Sequence, residues 1–392
     1  MKVLVLAPHP FYQERGTPIA VDLLLRALSE RGDEVDLLTF HEGSDKVYSG
    51  LKIKRISPWL PVNGIKPGFS VKKLVCDVLL MGRFMYLMAI KKYDVVHAVE
   101  ESAFMAMLIC PIRRIPYVYD MDSSMTTQLV DKFGVLKKFE NILRWVEGLP
   151  MRFSKIVMPM CDVLADEARA RGAKSVVVLK DVSLVGNEEV TSSIADLKGE
   201  FGTDKKIVMY IGNLESYQGI DLLLDSVNLI YKELPELIVT IIGGADDDIE
   251  KYEKISRSLG MDGVVHFLGK KPVADIGAYM SQADILVSPR VHGINTPMKV
   301  YSYLHSNTVV LATDLPTHTQ VMNGDIGMLA APEKQAYADG MLELIHDDEL
   351  RVRLSKAAHQ HIEKEHSYEA FKQHLYEAYE QLELTTSKHV DA

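Results

Sequence analysis

The stretch KIVMYIGNLESYQG, Lys206–Gly219, contains the pattern that decides the fold. A mainly apolar run is followed by a loop with a glycine on each side, and then by a helical pattern over Leu222–Leu234. The chain opens with the same order, an apolar run at Lys2–Ala7 and an amphipathic helix predicted over Ile19–Arg31. Each half of the chain therefore begins with a strand, a loop and a helix.

Short apolar runs alternate with amphipathic stretches along most of the chain. Continuous runs of Val, Ile and Leu are typical of strands buried on both faces of a parallel sheet, and their alternation with helices indicates βαβ units. The predicted strands are Lys2–Ala7, Glu34–Phe40, Leu51–Arg55, Asp94–Val99, Pro116–Asp120, Lys155–Pro159, Ser175–Leu179, Lys206–Ile211, Leu237–Gly243, Val264–Gly269, Ile285–Pro289, Thr308–Ala312 and Gly327–Ala330.

A polar stretch without a strand pattern, residues 186–203, separates the two halves. We therefore predict a first domain over residues 1–190 and a second over 191–365, followed by a C-terminal helix and tail over 366–392. The sequence from Lys334 to Leu384 is helical in pattern almost throughout.

The composition indicates an ordinary globular protein. Of 392 residues, 47% are hydrophobic and 25% charged, which excludes a disordered chain, a collagen-like repeat and a small disulfide scaffold. The three cysteines form no CxxC pair, so a zinc cage is not expected and the usage suits a reducing compartment. The first apolar run is too short for a signal peptide, and the longest one, Leu74–Ile90, contains Asp77 and Arg83. These features predict a cytoplasmic protein.

Charge is distributed unevenly along the chain. Residues 1–185 contain 26 Lys and Arg against 21 Asp and Glu, whereas the remainder contains 18 against 33. Within Lys46–Tyr93 ten residues are basic and one, Asp77, is acidic. Such a segment is either a solvated basic face or a surface that attracts anionic lipid or a phosphate-bearing substrate. Nucleic acid is not predicted, because no aromatic-basic stacking motif accompanies the charges.

Candidate site residues in the first half follow predicted strands. The loop Pro8–Thr17 places Gly16 and Thr17 where a helix begins, which favours an anion or a plain turn. The next strands end with His97 and Glu100, and with Asp120 and Asp122. Clustered acids at one sheet edge can orient hydroxyl groups or exchange protons.

The triplet Asp120-Met121-Asp122 also has the form of a metal-binding DxD motif. Its alternative interpretation is a pair of helix N-caps. We predict no metal site.

The second half carries a cationic loop after the strand that ends at Pro289. Arg290 offers a planar fork and Lys299 a point charge, a combination suited to a diphosphate, although a surface loop with an ion pair would look the same. Thr296 is predicted to cap a helix whose first turn contains Pro297. The glycine loop after Ile211 could hold phosphate through its amides.

The order of these pieces resembles the retaining GT-B glycosyltransferases of family 4, the "glycosyl transferases group 1" type. The resemblance is carried by the opening strand and its glycine loop, by the helix ending at Glu30–Val35 and by several later motifs. These motifs are Asp94–Ala98, Gly212–Leu224, Gly243-Gly244, Val265–Gly269, Ala283–Pro289 and Pro297–Asp314. The resemblance implies an α/β GT-B fold, in which two doubly wound Rossmann-like domains face a cleft and C-terminal helices pack back toward the first domain.

The chain departs from the family pattern at the donor site. Asn213 and Gln218 stand where the family usually has an Arg and a Lys that bind the donor diphosphate. Ser302 occupies the position of the Glu that usually holds the donor ribose, and Asp122 that of a histidine near the transferred sugar. We expect Arg290 and Lys299 to replace the missing cations.

The resemblance and the loops together give a set of expected site residues. Asp122 and His97 are the expected catalytic residues, and Thr17, Glu100 and Asp120 the expected acceptor-binding residues. The expected donor-binding residues are Gly16, Gly212, Asn213, Gln218, Arg290, His292, Asn295, Thr296, Lys299 and Ser302.

The expected activity is transfer of a hexosyl unit from a nucleotide diphosphate sugar, with retention and without a metal ion or cofactor. The basic segment Lys46–Lys92 suggests a lipid-linked or polysaccharide-precursor acceptor and a location at the inner face of the membrane. The alternative is a catalytically impaired GT-B scaffold that binds a nucleotide sugar or a partner. An epimerase or a phosphorylase fits less well, because no lysine suited to a pyridoxal-type cofactor is identified.

Overall fold

The computed structural model describes residues 1–13, 16–57, 64–65, 70–183, 194–293 and 296–387. The chain divides into two compact units, with the divisions between Asp181 and Val182 and between Ala370 and Phe371. We call these units the first and second domains, the first including the C-terminal segment. The predicted bounds after residues 190 and 365 lie close to these divisions.

The first domain contains one parallel sheet. Its strands are β1 (Lys2–Ala7), β2 (Glu34–Thr39), β3 (Leu51–Arg55), β4 (Val95–Val99), β5 (Tyr117–Met121) and β6 (Ile156–Pro159). They lie in the order β3-β2-β1-β4-β5-β6, so the order reverses between β1 and β4. Ligands of such sheets bind beyond the carboxyl ends of the strands at this reversal.

Helices cover both faces of this sheet. Those of the first domain are α1 (Gly16–Glu30), α2 (Val71–Ile90), α3 (Ser102–Arg113), α4 (Met125–Lys132), α5 (Glu140–Phe153) and α6 (Asp162–Ala170), with a 3₁₀ helix at Gly134–Phe139. The buried sides of α2, α3, α5 and α6 join residues of β1, β2, β4, β5 and β6 in one hydrophobic cluster, which includes Leu80, Ala106 and Met151. These four helices therefore lie on the same face of the sheet.

The second domain repeats this topology. Its strands are β7 (Lys206–Ile211), β8 (Leu237–Ile242), β9 (Val265–Gly269), β10 (Ile285–Ser288), β11 (Val309–Thr313) and β12 (Met328–Ala330). Their order is β12-β11-β10-β7-β8-β9, with the reversal between β7 and β10. Its helices are α7 (Leu197–Phe201), α8 (Ile220–Ile230), α9 (Asp246–Ser258), α10 (Val273–Met280), α11 (Met298–His305), α12 (Pro316–Thr319), α13 (Lys334–His346) and α14 (Asp348–Glu365). The last helix, α15 (Tyr368–Ser387), belongs to the first domain from Phe371 onward. Two further 3₁₀ turns lie at Ser216–Gln218 and Tyr231–Glu233.

The predicted strands are confirmed with one exception. Ser175–Leu179 forms only an isolated bridge, between Val157 and Val176, and not a strand. Its other backbone contacts with β6 are individual hydrogen bonds. The predicted first helix is also confirmed; it begins at Gly16 and is ended by Gly32, whose φ of 88° few other residues tolerate.

The C-terminal helix α15 returns to the first domain. The Tyr379 hydroxyl lies 2.9 Å from His97 Nδ1, and the Tyr376 hydroxyl donates to the Ala27 carbonyl at 3.0 Å. The guanidinium of Arg31 lies 4.8 Å from the centre of the Tyr379 ring and 3.3 Å from a Glu383 carboxylate oxygen. The predicted return of the C-terminal end is therefore confirmed, and it completes the surroundings of His97.

None of the helices within the described ranges combines the length and the apolar character that crossing a bilayer requires.

Tyr379→Ala should destabilise the first domain by about 3–5 kcal/mol, because it removes a fully buried aromatic ring and leaves His97 without its hydroxyl partner. Tyr379→Phe removes only the hydroxyl and should cost about 1–2 kcal/mol. Urea unfolding of the first domain measures both. Glu380→Ala, on the exposed side of α15, is the control and should have little effect. Equal stability of Tyr379→Ala and wild type would contradict this account of the helix.

Candidate functional site

The second domain brings its predicted donor residues to the strand reversal. β7 and β10 are parallel neighbours, and their carboxyl ends continue into the loops that contain Gly212 and Arg290. α11 follows the second of these loops and carries Lys299 in its first turn. Residues from two sequence regions about eighty positions apart thus meet at one edge of the sheet.

Lys299 lies against the glycine loop. Its Nζ donates to Gln218 Oε1 at 3.0 Å and lies 3.9 Å from the centre of the Tyr210 ring. A Cβ at Gly212 would lie 3.1 Å from this nitrogen, so the glycine leaves room for the ammonium group. Burial, together with the charge of Arg290, lowers the pKa of Lys299 well below its usual value.

Arg290 is held by its own loop. Its Nε donates to the His292 carbonyl at 2.6 Å, and its guanidinium carbon lies 5.1 Å from the centre of the Tyr217 ring. Burial lowers the pKa of Arg290. Among the residues that the structure describes, neither Arg290 nor Lys299 forms an ion pair with a carboxylate. Since buried cations are normally paired, this site carries positive charge that an anion would balance.

The two loops are tied together by backbone contacts. Val291 N donates to the Tyr217 carbonyl at 3.0 Å. Gly219 has a φ of 75°, and a Cβ there would lie 2.0 Å from the Pro289 carbonyl oxygen. Only glycine fits this crossing.

A buried histidine, His318, supports the loop that contains Arg290, and the sequence analysis did not identify it. His318 bonds through Nε2 to the Ser288 hydroxyl at 2.8 Å and through Nδ1 to the Thr313 carbonyl at 2.9 Å. The Thr313 hydroxyl in turn donates to the Arg290 carbonyl at 2.6 Å. Burial lowers the pKa of His318 to about 4, so its ring is neutral at neutral pH. The signal available in the sequence for this support was Thr313, the polar residue at the end of β11.

The remaining predicted donor residues are placed less uniformly. Asn213 and His292 are exposed, and Asn213 Oδ1 accepts from Glu215 N at 3.3 Å. Ser302 is buried in α11. Asn295 lies outside the described residues. Gly16 is the first residue of α1 and belongs to the first domain.

The predicted cap at Thr296 is wrong. α11 begins at Met298 with Pro297 in the N-cap position, and no side chain caps the helix. The chain before the helix is extended at Pro297, which carries Thr296 beyond reach of the first-turn amides. Within the described ranges the buried Thr296 hydroxyl has no hydrogen-bond partner.

The first domain gathers its predicted residues at the β1–β4 reversal. His97 is fully buried and bridges Tyr379 and Asp120, with Nε2 3.2 Å from Asp120 Oδ2. Glu100 has a φ of 51°, a strained value for this residue type, and its backbone N donates to the Asp120 carbonyl at 2.9 Å. Strain at the end of a strand is typical of a functional position.

Buried carboxyl groups crowd this edge. Burial, with the nearby charge of Glu101, raises the pKa of Glu100 to about 8. Burial, with Asp120 next, raises the pKa of Asp122 well above its usual value, although a hydrogen bond with Thr17 opposes the rise. Burial also raises the pKa of Asp181 to about 7. Burial therefore favours the protonated form of all three carboxyls.

A cavity of about 560 Å³ opens beside these carboxyls, within the first domain. Thr17 and Glu100, two of the three expected acceptor-binding residues, are among the residues that line it, and the wall is otherwise largely apolar. Its lining is Pro8, His9, Gly16, Thr17, Pro18, Ile65, Ser70, Lys73, Leu74, Asp77, Glu100, Glu101, Met125, Gln128, Leu129 and Lys132.

Asp77 is a lining residue that sequence reasoning did not assign to the site. It lies on α2, and its buried Oδ1 has no hydrogen-bond partner among the described residues. Burial, with the charge of Glu101, raises the pKa of Asp77 to about 7. Lys73, one turn earlier, pairs with Glu101. The signal available in the sequence was that Asp77 is the single acidic residue within the basic segment Lys46–Tyr93.

Much of the basic segment Lys46–Tyr93 is used inside the first domain. Lys54 and Lys91 both pair with the buried Asp36, at 3.5 and 2.7 Å. Arg55 pairs with Asp45. With Lys46, which pairs with Asp22, and Lys73, five of the ten basic residues therefore pair with carboxylates within the fold, and the sequence count exceeds the charge available at the surface.

In the described part of the chain, no three His, Cys, Asp or Glu side chains are grouped so that they could hold a metal ion.

The comparisons with known proteins agree with this architecture. Residues 195–361 match the family model "Glycosyl transferases group 1". A D-inositol 3-phosphate glycosyltransferase of Corynebacterium aurimucosum is 28% identical over 165 residues, which are 41% of this chain and 39% of that protein. The matches to the first curated relatives span about half of their length or less.

Solved structures match over nearly the whole chain. Sucrose-phosphate synthase from Thermosynechococcus elongatus has a TM-score of 0.77 at 17% identity, covering 98% of this chain and 100% of that one. HepE of Anabaena in complex with UDP has a TM-score of 0.75 at 17% identity, covering 97% and 100%. A second structure of HepE contains UDP-glucose. The fold is GT-B, as predicted.

Neutralising Asp181 should make the first domain less sensitive to pH. In the folded state burial raises the pKa of the Asp181 carboxyl to about 7, whereas the unfolded chain releases this proton near pH 3.8. The free energy of unfolding therefore falls as pH rises through about 7. Asp181→Asn removes this loss and should be more stable than wild type by roughly 2 kcal/mol at about pH 8. Unfolding measured across this range tests the sign. The control is Asp166→Asn, at an exposed position of α6. A steeper loss of stability in Asp181→Asn would refute the account.

Proposed function

We propose that this chain is a hexosyltransferase. Its residues 195–361 match the Glycosyl transferases group 1 family. The donor is a nucleotide diphosphate sugar, and the hexosyl unit is transferred with retention and without a metal ion. The acceptor is a lipid-linked or polysaccharide-precursor molecule, and the enzyme works at the inner face of the membrane.

One observation carries the donor assignment. Arg290 and Lys299 are partly desolvated cations at a strand reversal, and neither has a carboxylate partner among the described side chains. A diphosphate supplies the missing negative charge, through a planar fork on one side and a point charge on the other. UDP and UDP-glucose bound to HepE, a protein of the same fold, support this class of ligand.

The same cations serve the chemical step. As the sugar–phosphate bond breaks, negative charge grows on the leaving diphosphate, so fixed positive groups stabilise the transition state more than the ground state. Gln218 orients the Lys299 ammonium through its 3.0 Å hydrogen bond. The contacts of His318 and Thr313 fix the backbone of Arg290 and so prevent costly reorganisation.

In the first domain Asp122 acts on the acceptor. Burial and neighbouring carboxyls raise the pKa of Asp122 well above its usual value, so this carboxyl favours its protonated form and can orient an acceptor hydroxyl. His97 is fully buried and reaches the site through Asp120, so we assign it as a positioning residue. Glu100 and Thr17 line the adjoining cavity and bind the acceptor's polar groups.

The cavity favours an amphipathic acceptor. Leu74, Met125 and Leu129 give it an apolar wall, while Lys73 and Lys132 place cations beside it. An acceptor with sugar hydroxyls, an apolar part and an anionic linkage would meet all three kinds of group. Leu74 is 51% exposed, so the apolar wall continues onto the outer surface of α2.

The second candidate is a scaffold that binds a nucleotide sugar without transferring it. Asn213 and Gln218 favour it, since both stand where the family resemblance leads us to expect cations. A panel of nucleotide sugars separates the two: hydrolysis or transfer supports the enzyme, whereas binding with neither supports the scaffold.

Donor binding should depend on both cations. Arg290→Gln and Lys299→Gln should each weaken UDP binding by about 10- to 100-fold, because each removes a charge-assisted contact. The wild-type affinity should also fall as pH rises, since Lys299 has a lowered pKa and binds the anion in its protonated form. Lys299→Gln should lose that pH dependence.

Calorimetry of UDP binding measures these effects. Lys232→Gln, an exposed lysine in the connection before β8, is the control for a simple loss of charge. Unchanged affinity in both site variants would remove the donor assignment.

Asp122→Asn should slow transfer by about 100-fold or more while leaving UDP affinity within about twofold, because Asp122 belongs to the first domain. Single-turnover transfer rates and UDP calorimetry on the same samples separate the two effects. Transfer at the wild-type rate would exclude the assigned role. A parallel loss of UDP affinity would indicate a donor contact instead.

A further inference from the structure

The first domain exposes far more large apolar side chains than the second. Among the described residues, Leu229 and Val352 are the exposed large hydrophobic residues of the second domain, whereas the first domain has many. They concentrate on α2, α3 and the segment from the end of α4 to the end of α5. On the last two they are Leu108, Ile112, Phe133, Val135, Phe139, Ile142, Trp145, Val146 and Phe153. We call this set the α3–α5 face.

The buried side of α5 contains Pro150 and Met151 but also a carboxylate, and its outer side carries large apolar residues. Its buried side carries Glu147, whose carboxylate accepts from Met125 N at 2.6 Å and pairs with Arg171. Its outer side carries Ile142 and Trp145, which are 60% and 56% exposed. A helix on a protein surface normally presents its polar side to water. The outer side of α5 is therefore built for contact with something other than water.

The helices of the α3–α5 face are neighbours. α3 packs directly against α5, and both bury their inner sides in the same hydrophobic cluster. Ile112, near the end of α3, is 76% exposed and adds to the apolar side chains of this face. Patches of this extent mark interaction sites on soluble domains.

The charges of this face are of one sign. Over residues 132–153 the exposed charged side chains are all basic: Lys132, Lys137, Lys138 and Arg152. The two acids of that stretch are not available to a partner, because Glu140 pairs with Arg144 at 2.7 Å and Glu147 is buried. Arg113 and Arg114 add two exposed cations at the end of α3.

We propose that the α3–α5 face docks onto an anionic lipid bilayer. Trp and Phe side chains mixed with Lys and Arg suit the boundary between headgroups and acyl chains, where the rings enter and the cations meet lipid phosphates. A second copy of this chain fits poorly, since a two-fold contact of the face with itself would oppose cation to cation. This proposal deepens the proposed function, because it identifies the surface through which a lipid-linked acceptor would be reached.

The docking surface differs from the basic segment of the sequence analysis. Several cations of the segment Lys46–Tyr93 form ion pairs inside the domain, such as those of Lys54 and Lys91 with Asp36. Lys137 and Lys138 form no ion pair among the described residues and lie beside Phe139 in the chain.

Vesicle co-sedimentation of the full chain tests the docking. Wild type should bind vesicles of phosphatidylcholine mixed with phosphatidylglycerol and should bind phosphatidylcholine alone at least about tenfold more weakly. Ile142→Ser with Trp145→Ser should lower the partition coefficient by about tenfold or more, and so should Lys137→Gln with Lys138→Gln. The control pair is Leu229→Ser with Val352→Ser, which removes two exposed apolar residues from the second domain and should change nothing.

Fluorescence gives a readout that does not depend on the double variants folding. The chain has two tryptophans, so Trp59→Phe leaves Trp145 as the only one. Its emission should shift to the blue on addition of anionic vesicles. No shift and no sedimentation would overturn the proposal. A concentration-dependent dimer that Ile142→Ser with Trp145→Ser abolishes, without vesicle binding, would assign the face to a second copy instead.

UDP binding measured on the same variants keeps this proposal separate from the proposed function. Normal UDP affinity without vesicle binding would overturn the docking surface alone. Vesicle binding without UDP binding would overturn the donor assignment and leave the docking surface standing.

Discussion

The structure depends on a reversal of strand order that occurs once in each sheet. At β1 and β4, and again at β7 and β10, two parallel neighbours send their following helices in opposite directions across the sheet. Ligands of such sheets bind at this point, beyond the carboxyl ends of the strands. In the second domain the loops after β7 and β10 contain Gln218 and Arg290, and the helix after the second loop carries Lys299. In the first domain Thr17 lies on the helix after β1 and Glu100 directly follows β4.

The two reversals have been given opposite electrostatic character. In the second domain Arg290 and Lys299 hold positive charge without a carboxylate partner in the described ranges, and burial lowers the pKa of both. In the first domain Glu100, Asp122 and Asp181 hold protons that free carboxyls would lose, and burial raises the pKa of all three. Each site therefore favours its own kind of ligand. An anion would balance the positive charge of the second-domain site, and a hydroxyl group would hydrogen-bond to the first-domain carboxyls without adding charge.

Local features of the sequence predicted the fold well, because buried parallel strands are continuous apolar runs. Lys2–Ala7 and Lys206–Ile211 were found to the residue. Ser175–Leu179 has an equally apolar sequence, yet it makes only a bridge to β6. Its composition could not reveal this, since the outcome depends on the path of the chain after α6.

The site was predicted less completely, because its geometry depends on distant partners. The pairing of Lys299 with Gln218 joins positions 81 residues apart, and that of Lys91 with Asp36 joins positions 55 apart. Neither is visible as a motif. Thr296 failed as a cap because Pro297 holds the chain extended before α11. His318 was missed because the residues around it do not indicate that its ring will bond to the Thr313 carbonyl.

α2 connects the chemistry of the first domain with its surface. One side of this helix places Asp77 and Lys73 in the cavity wall, and Leu74 lies at the border between the cavity and the outside. Val78, also on α2, is exposed, and α2 contacts α3, one of the helices that carry the α3–α5 face. A water-soluble sugar acceptor would gain nothing from these apolar side chains. Under the proposed function, an acceptor with a lipid part would keep its apolar end in contact with them while its polar end reaches the carboxyls.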